Sequence, residues 1–482
     1  MRVALIFPPY GHKKFAENIE VVSNRFGVFP PLGLLYVAAI LEQHGHKVLV
    51  IDAKAHRLSK SATLRKLRAF KPDMLGFMLT VWMVRQTYEW IRFLKEALGI
   101  PVIVGNQCME AYPEAVMSNN AVNFGIIGSA LKSLPEFMNA FESGGDYNKI
   151  EGLAFKVRGK PVINFPSALH DDMNDLPFPA RHLIDNSAYA GFLSQLKNFT
   201  IMVTSKGCPS SCNFCDMSRT KYVERSVNSV VDEMKQCHDR FSVREIDIFD
   251  RSFTIRRRRV IEICDEIRRR GLDVSWSCRA RVDQVDDELL KSMHKAGCST
   301  ILYGVESGNQ LILDNEHKGI TKRQIRDALS TTVRNGIRTH GFFMVGQPGD
   351  TRRTVLETIR FSRELDLDYA QFLRTVPKPG SALYEDVKKV MGYDYFESYV
   401  RGNAEEMRLP RPWTKLTEKE TLQLTKLAYK QFYFRPSYAA RRLSGAKSSQ
   451  EILRYTKVGL EMLLKSQDTD MENGNDEQYK GR

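Results

Sequence analysis

Nowhere in its 482 residues does the chain hold a run of 18 apolar residues, and its first stretch, Met1-Arg-Val-Ala-Leu-Ile-Phe-Pro-Pro9, has no small-residue cleavage site. The first absence excludes a bilayer-spanning helix. The second makes the start an expected first β-strand rather than a signal peptide. Cysteine is scarce, eight in all, and five of the eight are scattered. That is no disulfide framework of a secreted domain, so a reducing cytoplasm is the expected compartment. There is no internal repeat of solenoid period and no acidic excess: 71 basic against 57 acidic residues leave a net charge of +14. Basic charge predicts an anionic partner without naming it. The runs Arg256-Arg-Arg-Arg259 and Arg268-Arg-Arg270 have no aromatic platform between them. This weighs against a nucleic-acid partner and favours a solvated helix face.

What is present is the composition of a soluble globular protein of two to four domains, 43% hydrophobic and 27% charged. Up to about residue 143, short apolar runs (Val3 to Phe7, Lys47 to Ile51, Met74 to Met78, Pro101 to Val104, Asn123 to Ile127) alternate with helical patterns. Alternation of this kind predicts a parallel sheet whose ligands lie at the carboxyl ends of the strands. Residues 144–199 are irregular, rich in turn signals such as Gly144-Gly and Leu176-Pro-Phe-Pro, and read as a linker with a small hairpin from Leu153 to Ile163. Six further strands are expected at Ile201 to Ser205, Glu245 to Asp250, Asp273 to Ser277, Thr300 to Gly304, Arg338 to Met344 and Tyr369 to Thr375, with helices between them. Six β/α units make a partial barrel over residues 200–385, with its site at the strands' carboxyl ends. Residues 386–467 read as helical and basic, with nine Lys or Arg against two Glu between Thr421 and Gln467. Residues 468–482 read as a disordered tail.

The chemistry gathers in Cys208-Pro-Ser-Ser-Cys212-Asn-Phe-Cys215, three thiols in eight residues after a strand and a Lys-Gly turn. Structural zinc wants four closed ligands, and no second Cys or His pair follows at such spacing. Iron–sulfur clusters are also usually held by four cysteines. Three leave one iron open to another ligand.

This C-x3-C-x2-C spacing, with Phe214 before the last Cys, resembles the radical S-adenosylmethionine (radical SAM) superfamily. The resemblance implies a [4Fe-4S] cluster held by Cys208, Cys212 and Cys215, with S-adenosylmethionine on the fourth iron. Further matches stand at successive strand ends: Phe249-Asp250-Arg-Ser, Cys278-Arg279-Ala-Arg281, Gly304-Val-Glu306-Ser307-Gly308, Val345-Gly346-Gln-Pro-Gly and Pro377-Lys-Pro-Gly. By the same resemblance, Phe214, Asp250, Arg279, Arg281, Glu306, Ser307, Val345 and Gly346 bind S-adenosylmethionine. Glu306 and Ser307 suit its amino and hydroxyl groups, Phe214 and Val345-Gly346 its adenine, and Arg279 or Arg281 its carboxylate.

The first domain, with Phe29-Pro-Pro-Leu-Gly, His44-Gly-His-Lys-Val and Pro72-Asp-Met-Leu-Gly, is similar to the Rossmann-like cobalamin-binding domain that precedes many such enzymes. It lacks the Asp-x-His-x-x-Gly motif whose His ligates cobalt, and His12 is the candidate replacement. The expected fold is thus α/β: a cobalamin-binding-type domain (1–143), a linker, a (β/α)6 radical SAM barrel and a helical C-terminal region.

The implied activity is reductive cleavage of S-adenosylmethionine to abstract hydrogen from an unactivated carbon. Cobalamin-dependent C-methylation of a lipid, hopanoid, tetrapyrrole-like or other natural-product substrate is the expected outcome. Cyclisation, ring contraction or carbon–carbon coupling without cobalamin stay open, as do zinc-binding and nucleic-acid-binding proteins. Expected partners are a small-molecule or lipid substrate and a flavodoxin- or ferredoxin-type electron donor. The basic C-terminal segment adds an expected peripheral contact with an anionic membrane.

Overall fold

A computed structural model describes residues 1–9, 27–167, 172–191, 194, 198–404, 411–438 and 440. His12, the basic segment from 441 to 467 and the tail from 468 lie outside the described residues. Two sheets organise the rest. The first has the order β2-β1-β3-β4-β5-β6-β7, with β1 Arg2–Phe7, β2 Lys47–Asp52, β3 Met74–Met78, β4 Val102–Gly105, β5 Phe124–Ile126, β6 Leu153–Val157 and β7 Lys160–Ile163. β1 to β5 are parallel, and the β6–β7 hairpin adds antiparallel to β5. The hairpin of the expected linker therefore extends the first sheet. β1 is buried at every position from Val3 to Phe7, as a parallel strand covered on both faces must be.

The second sheet runs β8-β9-β10-β11-β12-β13 in chain order: β8 Phe199–Met202, β9 Glu245–Ile248, β10 Ser275–Ala280, β11 Cys298–Glu306, β12 Arg338–Val345 and β13 Tyr369–Arg374. All five pairings are parallel, the open half-barrel expected of six β/α units. Two strands run further than their apolar cores suggest. In β10 burial alternates, with Trp276, Cys278 and Ala280 buried and the residues between them less so. Arg279 is therefore inside the strand rather than in the loop after it. β11 continues through a register shift between Gly304 and Glu306, and Glu306 takes a left-handed conformation, φ 62°, which a non-glycine residue seldom adopts.

The C-terminal helices divide between the two sheets. Ala382–Met391 and Tyr395–Arg401 contribute Tyr384, Phe396, Tyr399 and Val400 to the core of the first. Glu418–Tyr433 packs on the second. It also covers the edge strand β13: Tyr429 accepts the Phe372 amide (3.1 Å), and Tyr433 accepts from the Ala370 N–H (3.0 Å) and donates to the Ala370 carbonyl (2.7 Å). An exposed edge of this kind would otherwise invite pairing with another chain. Among the described residues no helix is long and apolar enough to cross a membrane.

The segment before β8 stitches the sheets together. The Ala180 amide donates to Leu35 in the helix Leu32–Gln43 (3.0 Å), and buried Arg181 donates to the Ile201 carbonyl of β8 (2.9 Å) and pairs with buried Glu233 (2.7 Å). Breaking one partner of such a buried pair costs about 3–5 kcal/mol, so the carboxyl ends of the two sheets are held facing each other.

Candidate active site

Between those ends lies a cavity of about 960 Å³. The second sheet contributes Cys208, Cys212, Phe214, Cys215, Phe249, Asp250, Arg279, Arg281, Leu302, Gly304, Glu306 and Phe342 to its wall, while Lys318 follows β11 in a loop. The first sheet contributes the carboxyl ends of its strands, including Leu5, Phe7, Gly76, Met78, Ile103 and Gly105, and the helix Leu32–Gln43 contributes residues from Leu32 to Ile40.

The cysteine loop is pinned at both ends. A short antiparallel ladder, Ser205-Lys206 against Val223-Glu224, closes its base. Gly207 sits there at φ 80°, and a Cβ on it would come within 2.0 Å of the Lys221 carbonyl oxygen, so only glycine fits. Within the loop the Cys208 amide donates to Thr220 Oγ1 (3.0 Å) and the Arg219 amide to the Ser210 carbonyl (2.9 Å). From outside, the segment 315–318 braces it: the Asn213 amide donates to the Glu316 carbonyl (3.0 Å) and Asn213 Nδ2 to the Asn315 carbonyl (2.8 Å). All three thiols are free, Cys212 buried and the other two half-buried. Burial raises the pKa of Cys212, opposed by the Lys318 and Arg281 cations beside it.

Beside Cys212 lies a buried charge cluster. Lys318 Nζ donates to Glu306 Oε1 at 2.8 Å and sits 5.9 Å from the Phe214 ring centroid. Burial disfavours the ammonium, but the Glu306 and Cys212 charges outweigh it and raise its pKa. A Cβ on Gly304 would fall 2.4 Å from Glu306 Oε1 and 2.7 Å from Lys318 Nζ. The glycine of the Gly-x-Glu-Ser-Gly stretch thus leaves room for this pair. Glu316 is fully buried, and neither carboxyl oxygen has a hydrogen-bond partner among the described residues. Desolvation, then the nearby Glu306, hold its pKa well above the usual value near 4.5.

Comparison with known proteins decides the family. The radical SAM superfamily matches residues 202–362 and the B12-binding domain residues 20–137. The chain is 30% identical to an uncharacterized methyltransferase of Pyrococcus horikoshii, over 90% of its own length and 93% of that protein. The chain belongs to the radical SAM superfamily. It is also 27% identical to an anaerobic magnesium-protoporphyrin IX monomethyl ester cyclase of Rubrivivax gelatinosus, across 83% of this chain and 72% of that one. Among solved structures it shares the fold of the methyltransferase TsrM from Kitasatospora setae, determined with cobalamin and a [4Fe-4S] cluster (TM-score 0.65, 21% identity, 81% of this chain and 75% of that one covered).

This radical SAM enzyme does not gather every residue that its motifs suggest. Cys208, Cys212, Cys215, Phe214, Asp250, Arg279, Arg281 and Glu306 all line the cavity; Ser307, Val345 and Gly346 are not among its lining residues. Ser307 is buried against Thr358 Oγ1 (3.1 Å), and the Gly346 amide and carbonyl are taken by Asp350 (2.9 Å) and Trp413 Nε1 (2.9 Å). Asp250 binds inward, to the Thr204 amide (2.6 Å) and the Thr204 and Ser205 hydroxyls (2.5 and 2.6 Å). Arg279 is committed to Asp247 through both terminal nitrogens (2.7 and 3.1 Å) and lies 3.8 Å from the Phe249 ring centroid. Cys278 is fully buried in the core beside Cys298 and does not reach the cavity.

Lys318 and Glu316 carry little signal in the sequence. They follow the Gly-x-Glu-Ser-Gly stretch by about ten residues in a polar loop, where a lysine and a glutamate look solvated. Proximity to that motif is the one hint they offer.

The first-sheet side of the cavity is largely apolar in its strand and helix lining. A Cβ on Gly76 would lie 2.5 Å from Leu5 Cδ2, and one on Gly33 would lie 2.9 Å from Met78 Sδ. Leu5 and Met78 fill the space beside these two glycines, all four residues line the cavity, and no described residue lining it is a histidine.

Proposed function

We propose that this enzyme methylates an unactivated carbon of a largely apolar small molecule, with cobalamin as the methyl carrier. The observation that carries the reading is the single cavity shared by the cysteine loop and the glycine-lined cleft of the first sheet. When bound, the cluster supplies the electron that cleaves S-adenosylmethionine, and cobalamin supplies the methyl group. Cys208, Cys212 and Cys215 would hold the cluster. Glu306 would accept from the amino or ribose hydroxyl groups of S-adenosylmethionine, and Lys318 would meet its carboxylate, a role for which Arg279 has no free fork. Phe249, Leu302 and Phe342 on the wall would exclude water and receive the apolar substrate. Gly76, Gly33 and the strand ends Met78 and Gly105 would cradle cobalamin. The electron would come from a flavodoxin- or ferredoxin-type donor.

The test is anaerobic reconstitution with and without cobalamin, assaying 5'-deoxyadenosine and S-adenosylhomocysteine together against candidate substrates. Cobalamin-dependent formation of both supports the proposal. Deoxyadenosine without S-adenosylhomocysteine would reject methylation and favour cyclisation or coupling, the reading raised by the resemblance to the Rubrivivax gelatinosus cyclase.

A further inference from the structure

Arg281 differs from Arg279 in what its guanidinium faces. Its Nε and Nη2 grip Asp283 at 2.9 Å each, Nη2 also donates to the Lys318 carbonyl (2.8 Å), and Nη1 donates to Cys212 Sγ at 3.9 Å. The edge that would clasp a carboxylate is therefore taken by Asp283, and the free nitrogen is turned to sulfur. Cys212 is the most buried of the three cluster-loop thiols, 7% exposed, so a positive donor there acts through little screening solvent. Lys318, whose carbonyl holds Arg281, is a second cation whose charge acts on the same thiol.

We propose that Arg281 is a positioning residue that tunes the cluster: held by Asp283 and the Lys318 carbonyl, its N–H···S contact to Cys212 favours the reduced state. Reduction adds a negative charge to the cluster and its sulfurs. Hydrogen bonds to those sulfurs and nearby positive charge therefore raise the reduction potential. Asp283 works in the opposite direction, because it balances the guanidinium charge while orienting it. This inference rests on the reading of the three cysteines as cluster ligands.

The experiment is an EPR-monitored potentiometric titration of the full-length protein, anaerobically reconstituted with iron and sulfide, for the parent, Arg281→Met and Asp283→Asn. Asn keeps an acceptor for Arg281 and removes the charge. At a fixed potential, R281M is expected to lower the reduced-to-oxidised ratio about tenfold, equivalent to about 59 mV for a one-electron couple. D283N is expected to raise it, and the spectral change produced by S-adenosylmethionine should need the same concentration in all three proteins. Identical midpoints overturn the inference. So does an unmoved midpoint in R281M with weakened S-adenosylmethionine binding, which would make Arg281 the carboxylate clamp instead. Should R281M retain no cluster, D283N decides, and an unmoved midpoint there rejects the tuning role. A parent protein that forms no cluster would overturn the reading of the cysteine loop itself, a failure distinguishable from that of Arg281.

Discussion

The two sheets meet at one cavity with opposite kinds of surface. The second sheet ends in a pinned loop of thiols and a buried cluster of charges in which Lys318 pairs with Glu306. The first ends in a largely apolar cleft lined by Leu5, Gly33, Gly76, Met78 and Ile103. A site that binds by ligation depends on which atoms are present. A site that binds by enclosure depends on what is left out. On the proposed reading the same sheet-end position in two α/β units serves these two uses, and substitutions that add or delete atoms should affect them in opposite ways.

The sharpest break of the comparison is Cys212→Ala. With one of the three proposed ligands gone, the cluster should be lost, with the brown colour and charge-transfer absorption gone and 5'-deoxyadenosine formation at background, while cobalamin retention on gel filtration persists. The converse is Gly76→Val, which adds atoms to the cleft. With the new Cβ 2.5 Å from Leu5, it should destabilise the fold by about 1–3 kcal/mol. Cobalamin retention should fall at least tenfold while the cluster still forms. A variant that loses both cofactors together would show that the two sites are not separable.

Glu316→Gln gives the smallest effect and bears on the buried charges behind the ligand loop. The folded-state pKa of Glu316 lies above its unfolded value near 4.5. Between the two, the folded protein binds more protons than the unfolded chain, so stability falls as pH rises from about 4.5 through the folded pKa. A glutamine carries no such loss. E316Q should therefore match the parent in acid and exceed it at pH 7 to 8 in urea unfolding, with a flatter pH dependence. An equal slope in both proteins would mean that Glu316 is ionised in the fold.

Much of the fold is legible in the amino-acid pattern. The alternation of short apolar runs with helical patterns sets out both sheets, most clearly in the first, whose β1 is buried on both faces and therefore apolar from Val3 to Phe7. The gathering of the three cysteines at the cavity is legible because their spacing is a local property. The orientation of the arginines is less so. Arg279 and Arg281 look equivalent two residues apart, but a period-two strand aims the first at Asp247, while the second, just past the strand, reaches Cys212 and Asp283. Ser307 sits inside a matching motif, and its side chain nonetheless faces Thr358 rather than the cavity.

By itself the sequence determined the order of the elements, the identity of the three thiols and the family to which they point, since all of these reside in local pattern and spacing. Tertiary structure alone decided that Lys318 and Glu316 stand behind Cys212, that Arg281 faces sulfur, and that both sheets open onto one cavity. Each of those facts joins segments far apart in the chain, and whether a polar side chain is solvated or buried against a partner is settled by what packs over it.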